Sequence, residues 1–206
     1  MKIAIIGTGN VGSALAQRFV QSGHQVSFGV RDSSSPKSQK ASTITGTTLL
    51  SIEEASKSAE AIIIATPPEA VLSVVAQLGD VKNKIVIDTT NSIRTRPDPY
   101  ATAYHALKDL TKSSKIVKCF NSTGFENMTN PIYSDFGGID MFCAGDDTEA
   151  KAVAQNLAKQ IGFGECWDFG GDDKVELLEK FALSWINLAI MQGHGRNLAF
   201  KVIKRS

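Results

Sequence analysis

Long apolar runs are missing from this sequence. Nothing approaches the roughly 18 consecutive apolar residues of a membrane span, and the first apolar stretch, Ile3 to Ile6, leads straight into a glycine-bearing turn, so neither a spanning helix nor a signal peptide is expected. Cysteine is scarce as well. Cys119, Cys143 and Cys166 are odd in number, far apart in the chain and set among apolar neighbours, which excludes a disulfide framework and the paired spacing of a zinc site. They are expected to be reduced core residues of a cytoplasmic protein that holds no metal. An excess of charge of one sign is lacking too: 22 Lys and Arg stand against 21 Asp and Glu, which implies no general attraction to phosphate backbones or anionic lipid. Neither nucleic acid nor a membrane is an expected partner.

What is present is a rhythm. A chain of 206 residues fits one domain with at most a small appendage and buries about 70% of the surface its unfolded form exposes. Short Val- and Ile-rich runs alternate with helical patterns up to about residue 170, the rhythm of a mostly parallel sheet covered on both faces. Strands are expected near 2–6, 25–30, 47–50, 61–65, 84–88, 115–119, 139–144 and 164–168. KIAII, AIIIA and KIVID lack polar alternation, so both faces of each should be buried. Helices are expected at about 10–22, 67–78, 101–110 and 147–161, with a long one from about 173, while Ser33 to Ser38 reads as a loose segment. The fold class is α/β, a Rossmann-type doubly wound sheet spanning 1–170, followed by a helical extension over 171–206.

That extension carries an apolar stripe at helical spacing, Val175, Leu178, Phe181, Ala182, Trp185 and Ala189, while Leu177, Ile186 and Ile190 spread apolar character round the cylinder. One sheet face cannot cover all of it, so the helix is expected to pack on a second subunit as well and make a homodimer. Gly193 and Gly195 should interrupt it.

Gly7-Thr8-Gly9-Asn10-Val11-Gly12 follows the first strand and opens an amphipathic helix, the setting in which this glycine pattern binds a dinucleotide. Gly7 permits the tight turn, Gly9 lets backbone amides reach a pyrophosphate, and Gly12 lets the helix lie close to the strand. Asn10 and Val11 start that helix beneath the phosphates, where its unpaired amides and positive end face the anion. The choice of dinucleotide falls at the end of the second strand, where an enzyme using NAD places a carboxylate for the ribose hydroxyls. Here the string is Phe28-Gly29-Val30-Arg31-Asp32. Gly29 leaves space and Arg31 can pair with a 2′-phosphate, which favours NADP(H); Ser33, Ser35 and Lys37 can add donors. Asp32 is the counter-argument, since a shift of one residue would offer a carboxylate instead.

Ligands of an open parallel sheet lie beyond the carboxyl ends of the strands. Thr66-Pro67-Pro68, Asp88-Thr89-Thr90-Asn91-Ser92 and Phe120-Asn121-Ser122-Thr123-Gly124-Phe125 occupy those positions. Thr66 is expected to touch the dinucleotide, and Thr89, Asn91, Asn121, Ser122 and Thr123 are candidates for holding the ring and its acceptor. A positioned base is missing. Oxidation of an alcohol usually requires one, yet of the three histidines only His194, between Gly193 and Gly195, has the flexible setting of a lid. No catalytic residue is therefore assigned. A large flat acceptor meeting the nicotinamide face to face needs proximity and alignment rather than a protein base.

Gly7 to Ala16, the Gly29-Val30-Arg31 strand end, the IIIATPP segment and the glycine-interrupted final helix together resemble the F-420-dependent NADP oxidoreductase family over essentially the whole chain. The resemblance implies hydride transfer between NADP(H) and the deazaflavin coenzyme F-420. It places Thr8, Gly9, Asn10 and Val11 at the pyrophosphate and Arg31 with Ser35 at the 2′-phosphate. Thr66, Pro67, Ala70, Asn91 and Phe125 then lie along the rest of NADP. Two segments depart from the family: Gly29-Val30-Arg31-Asp32 replaces a Gly-Ser-Arg-Arg type of string, and Asn121-Ser122-Thr123-Gly124 replaces a His-Thr-Ile-Pro type. Three other functions compete: an NADPH-dependent flavin or ferric reductase, a small imine or keto-acid reductase, and a non-catalytic module that senses NADP(H).

Overall fold

The structure is a computed structural model that describes residues 1–205. In chain order its strands and α-helices are β1 (Lys2–Ile6), α1 (Asn10–Gln21), β2 (Gln25–Val30), α2 (Pro36–Ser42), β3 (Thr47–Ser51), α3 (Ile52–Ser58), β4 (Ala61–Ile64), α4 (Val71–Val75), β5 (Ile85–Asp88), α5 (Ala103–Thr111), β6 (Ile116–Cys119), α6 (Phe125–Thr129), β7 (Ile132–Tyr133), β8 (Gly137–Gly138), β9 (Met141–Ala144), α7 (Thr148–Gln160), β10 (Cys166–Asp168) and α8 (Val175–Ile186). Eight strands form one sheet in the order β10-β9-β6-β5-β4-β1-β2-β3, and β7 with β8 makes a separate two-stranded hairpin.

The chain order reverses at β1, which lies between β4 and β2 with both neighbours parallel to it. The loops leaving β1 and β4 consequently diverge to opposite faces, and their separation opens a crevice beyond the carboxyl ends of the strands. Alternation along β1 shows the two-sided burial expected of its sequence: Ile3 and Ile5 belong to one core cluster, Ala4 and Ile6 to the other. α1, α6 and α7 contribute to the first cluster, and α3, α4, α5 and α8 to the second. All four residues of β4 are fully buried, and each buried Ile there is worth about 1.5–3 kcal/mol relative to exposure.

Several sequence expectations need correction. Ser33 to Ser38 is not a loose segment, because Ser35 caps the N-terminus of α2 by accepting from Ser38 N, with Pro36 in the first turn. α3 was not expected, although Ser51 and Glu54 form a reciprocal capping box at its start. The helix expected over 67–78 is reduced to one 3₁₀ turn (Pro68–Ala70) and the short α4.

β9 pairs antiparallel with β6, and β10 then follows β9 in parallel. This reversal places Cys143 opposite Cys119 and brings Cys166 Sγ to 4.0 Å from Cys119 Sγ. Cysteines distant in sequence thus share one core, all three as free thiols. Burial pushes the Cys119 thiol up, and the thiol hydrogen bonds among the three together with burial push Cys143 and Cys166 up as well.

The final helix ends before Gly193. α8 continues as a π-helical turn over Asn187–Met191, and Gly193 (φ 74°) and Gly195 (φ 90°) then reverse the chain. Residues 196–202 run back across the domain instead of extending a helix. Leu198 O accepts from Trp185 Nε1 (2.6 Å) and Asn127 Nδ2 (2.8 Å), while Val202 N donates to the buried Asp140 Oδ2 (2.8 Å). Phe200 stacks on Phe181 (4.7 Å between centroids), which in turn meets Phe142 edge-on (4.8 Å). The stripe of Val175, Leu178, Ala182, Trp185 and Ala189 is therefore buried within this chain and Phe181 is half-buried, while Leu177, Ile190 and Met191 are apolar residues left exposed. Among the described residues no helix is long and apolar enough to cross a membrane.

Candidate functional site

The Gly7 turn is shaped by close packing. Gly7 has φ 117°, and a Cβ there would lie 2.5 Å from the carbonyl oxygen of Ala65. A Cβ on Gly12 would collide with the carbonyl oxygen of Gly7, so helix α1 can rest on the turn only without that side chain. Gly9 differs from both. A Cβ on it meets nothing within 4 Å, so open space in front of the helix is what its missing side chain leaves. Gly9 caps α1 without a side-chain hydrogen bond, and no acidic residue occupies the first turn. The first amides of α1 and its positive dipole end thus face that space with no carboxylate from the helix's own first turn.

A cleft of about 640 Å³ runs from this turn across the switch point. Gly7, Thr8 and Gly9 line its middle, Arg31, Ser35 and Lys37 one side, and Thr66, Pro67 and Ala70 the other. These nine candidate residues therefore share one cavity. Asp32 lies at the cleft too, but its Oδ1 accepts from Ser34 Oγ (2.6 Å) and Ser34 N (2.8 Å), and these bonds hold its carboxyl below the usual range. Gly29 turns out to serve packing as well as space, since a Cβ there would lie 2.5 Å from Ile6 Cδ1 and 3.1 Å from Ile52 Cα. Glu69, which also lines the cleft, was not among the sequence's candidates. It is oriented by Thr95 Oγ1, which donates to Glu69 Oε2 at 2.5 Å and lowers that carboxyl.

The other candidates lie outside this cavity. Asn91 and Asn121 are joined: Asn91 Nδ2 donates to Asn121 O (2.8 Å) and Asn121 Nδ2 to Asn91 Oδ1 (3.0 Å). Thr89 Oγ1 donates to Ile64 O (2.9 Å), Ser122 Oγ to Met141 Sδ (3.4 Å), and Thr123 Oγ1 accepts from Asn127 Nδ2 (2.7 Å). These three hydroxyls are engaged in tying the strand ends to the core. Asn10 and Val11 open α1, and Gly12, buried, is the third residue of its first turn. Phe125 opens α6 under the Arg196 guanidinium, 5.5 Å from its ring centre, and His194 is exposed in the turn after the final helix.

Unsatisfied groups mark the rest of the crevice. Thr66 Oγ1, Thr90 Oγ1 and Asn121 Oδ1 are buried without a hydrogen-bond partner. They follow β4, β5 and β6, which are adjacent in the sheet. Buried polar atoms are ordinarily paired, so three orphans in a row along one edge fit a polar ligand lying across it. The glycine cradle and these orphans suit a dinucleotide, with its diphosphate at α1 and its further ring toward β5 and β6.

A buried ion cluster lies under the same loops and was not anticipated. Lys118 Nζ is 2.8 Å from Asp88 Oδ2 and 2.5 Å from Glu179 Oε1, with Lys118 and Asp88 fully buried and Glu179 5% exposed. Burial outweighs the neighbouring ammonium and raises the Glu179 carboxyl above its usual range. Lys118 sits inside an otherwise apolar strand string, Ile116-Val117-Lys118-Cys119; a lysine within such a string is the signal that would have exposed it. Among the described residues no group of His, Cys, Asp or Glu could hold a metal ion.

Known proteins align with this geometry. Residues 2–92 match the family described as NADP oxidoreductase, coenzyme F420-dependent, so the sequence resemblance holds across the glycine turn and the Arg31 strand end. The F420-dependent NADP reductase of Methanothermobacter thermautotrophicus is 28% identical over 98% of this chain and 94% of its own length. A crystal structure of a candidate F420-dependent NADP reductase from Arthrobacter sp. FB24 superposes with a TM-score of 0.87, at 26% identity over 99% of this chain and 100% of that one. A reductive aminase from Aspergillus terreus, solved with NADPH and ethyl-5-oxohexanoate, shares the fold with a TM-score of 0.69 at 18% identity, and this chain spans 63% of its length.

Proposed function

We propose that this chain is an NADP-dependent oxidoreductase that passes hydride between NADP(H) and a flat acceptor, coenzyme F420. The observation that carries this reading is the single cleft that joins an open helix N-terminus to Arg31, Ser35 and Lys37 on one side and Thr66 on the other. It is supported by full-length similarity to reductases named for that pair of coenzymes. Bound NADP(H) supplies the hydride at its nicotinamide. The chain's own residues bind and orient: the amides after Gly9 receive the diphosphate, and Arg31 with Ser35 and Lys37 receives the 2′-phosphate. Thr66, Pro67 and Ala70 flank the linking ribose, and Asn91 and Phe125 continue the track.

The acceptor belongs beside the ends of β5 and β6, near Thr89, Asn121, Ser122 and Thr123, with His194 on the turn that follows the final helix. No acid or base is required of the protein for transfer between two ring carbons; alignment alone can supply much of the rate. Leu177, Ile190 and Met191, exposed on the C-terminal helix, support a homodimer formed through that element. Three free thiols support a cytoplasmic setting. Calorimetric titration with NADPH and NADH, followed by the absorbance of F420 during mixing with NADPH, tests the reading. Tight NADPH binding and F420 bleaching are expected. Binding without turnover of F420, flavins, ferric chelates or imines would point instead to a sensing module.

A further inference from the structure

The buried ion cluster has a geometry that its own stability does not require. Three charged groups withdrawn from water cost several kcal/mol each before pairing, and apolar side chains of similar volume commonly do as well. What the cluster does hold is one residue. Asp88 and Lys118 face each other directly in the β5–β6 register, and Lys118 Nζ joins the Asp88 and Glu179 carboxylates. Each carboxylate turns its other oxygen to a backbone amide: Asp88 Oδ1 accepts from Thr90 N (2.9 Å) and Glu179 Oε2 from Ser92 N (2.9 Å). The two amides flank Asn91. Its main chain is gripped on both sides by carboxylates bridged through a single ammonium.

Asn91 passes this constraint to Asn121. A backbone carbonyl only accepts, so the contact with Asn121 O must come from Asn91 Nδ2. That assignment leaves Asn91 Oδ1 to accept from Asn121 Nδ2. Asn121 Oδ1 is then the group turned away from the pair, in a residue 4% exposed, and it has no partner. The neighbouring orphans, Thr66 Oγ1 and Thr90 Oγ1, are hydroxyls that can donate. An acceptor and hydroxyl donors at the ends of adjacent strands complement a group that offers both an N–H and a C=O.

We propose that Lys118, Asp88 and Glu179 act as a clamp that positions the Asn91–Asn121 pair as a reader of a planar primary carboxamide, the substituent of the nicotinamide ring. The inference rests on the dinucleotide reading above and moves Asn121 from the acceptor's side of the crevice to the cofactor's. Lys118, Asp88 and Glu179 are positioning residues, since they reach the ring only through Asn91 and Asn121. The chemistry predicts a discrimination that no packing role shares. A carboxylate in place of the carboxamide has no hydrogen for Asn121 Oδ1 and meets a lone pair instead, which leaves that buried acceptor unpaired.

Three ligands test this by titration of the purified chain: adenosine 2′,5′-bisphosphate, NADP+, and the deamidated NADP+ analogue that bears a ring carboxylate. The wild-type chain should prefer NADP+ to the analogue by about tenfold or more. Asn121→Ala should bring that ratio close to one and leave the bisphosphate affinity unchanged. Glu179→Gln should lower the ratio at least threefold, and adding it to Asn121→Ala should lower the ratio no further. Asn91→Ala cuts the link to the clamp without touching a charge, so it carries the same expectation if Glu179→Gln does not fold. An unchanged ratio in Asn121→Ala overturns the carboxamide reader; an unchanged ratio in a folded Glu179→Gln, or in Asn91→Ala, overturns the clamp. If the wild-type chain binds no bisphosphate, the nucleotide reading fails, and this inference with it.

Discussion

The carbonyl oxygen of Gly7 occupies the space that a Cβ on Gly12 would need. Helix α1 and the turn that feeds it are thus one packed unit, and of the three glycines of the turn Gly7 and Gly12 serve packing, whereas Gly9 faces open space. Gly12→Ala is expected to destabilise the fold by about 1–3 kcal/mol through overpacking, read as a lower urea midpoint. Gly9→Ala should cost about 1 kcal/mol or less, the difference between glycine and alanine at a helix cap, and yet weaken NADPH binding at least tenfold. Equal loss of stability in the two variants would contradict this division.

Arg31 is the cation at the end of β2, and the carboxylate beside it is held by Ser34. Arg31→Ala should therefore weaken NADPH binding by roughly 10- to 150-fold, the worth of a charge-assisted contact. NADH affinity should hardly change. Calorimetry on both nucleotides decides the point, and parallel losses would assign the 2′-phosphate to other residues.

Glu179 links stability to pH. Its carboxyl is raised above the usual 4.5, first by burial, so the unfolded chain releases this proton at lower pH than the folded chain does. The stabilisation from the protonated carboxyl is complete below 4.5 and is lost as pH rises through the higher folded value. Wild-type stability should accordingly fall relative to Glu179→Gln as pH increases from 4 toward neutrality. Urea denaturation of both chains across that range would expose the trend; a constant difference would show that the carboxyl is not raised.

Asp140 holds the returning C-terminal segment. Its carboxylate, 4% exposed as a residue, accepts from Glu165 N (3.1 Å), Trp167 Nε1 (2.8 Å) and Val202 N (2.8 Å). Asp140→Ala leaves three donors short of a partner and should cost about 3 kcal/mol, measurable as a shift of the denaturation midpoint. A loss below about 0.5 kcal/mol, the range of ordinary surface substitutions, would mean that residues 196–202 are held by their other contacts, such as the hydrogen bonds to Leu198 O and the stacking of Phe200 on Phe181.

Local patterns account for what could be read in advance. β1, β4 and β5 were legible because strands buried on both faces need unbroken apolar runs, and the Gly7 turn because its glycine spacing sits between such a strand and an amphipathic helix. The start of α3 was equally legible, in Ser51 and Glu54, but its short apolar content hid it. Lys118 was overlooked for a different reason. A single cation in an apolar strand gives no hint of which carboxylates will meet it, and one of the two, Glu179, arrives from 61 residues further along the chain.

The sequence by itself determined the Rossmann-type alternation, the glycine turn between β1 and α1 and the cation at the end of β2, because each is a property of residues within one β-α unit. Tertiary structure alone decided the reversal of β9, the meeting of the three cysteines, the return of residues 196–202 over α8 and the grip on Asn91. Those features depend on which distant strand or helix comes to lie alongside, and that is settled by burial of the whole chain rather than by the spacing of any segment.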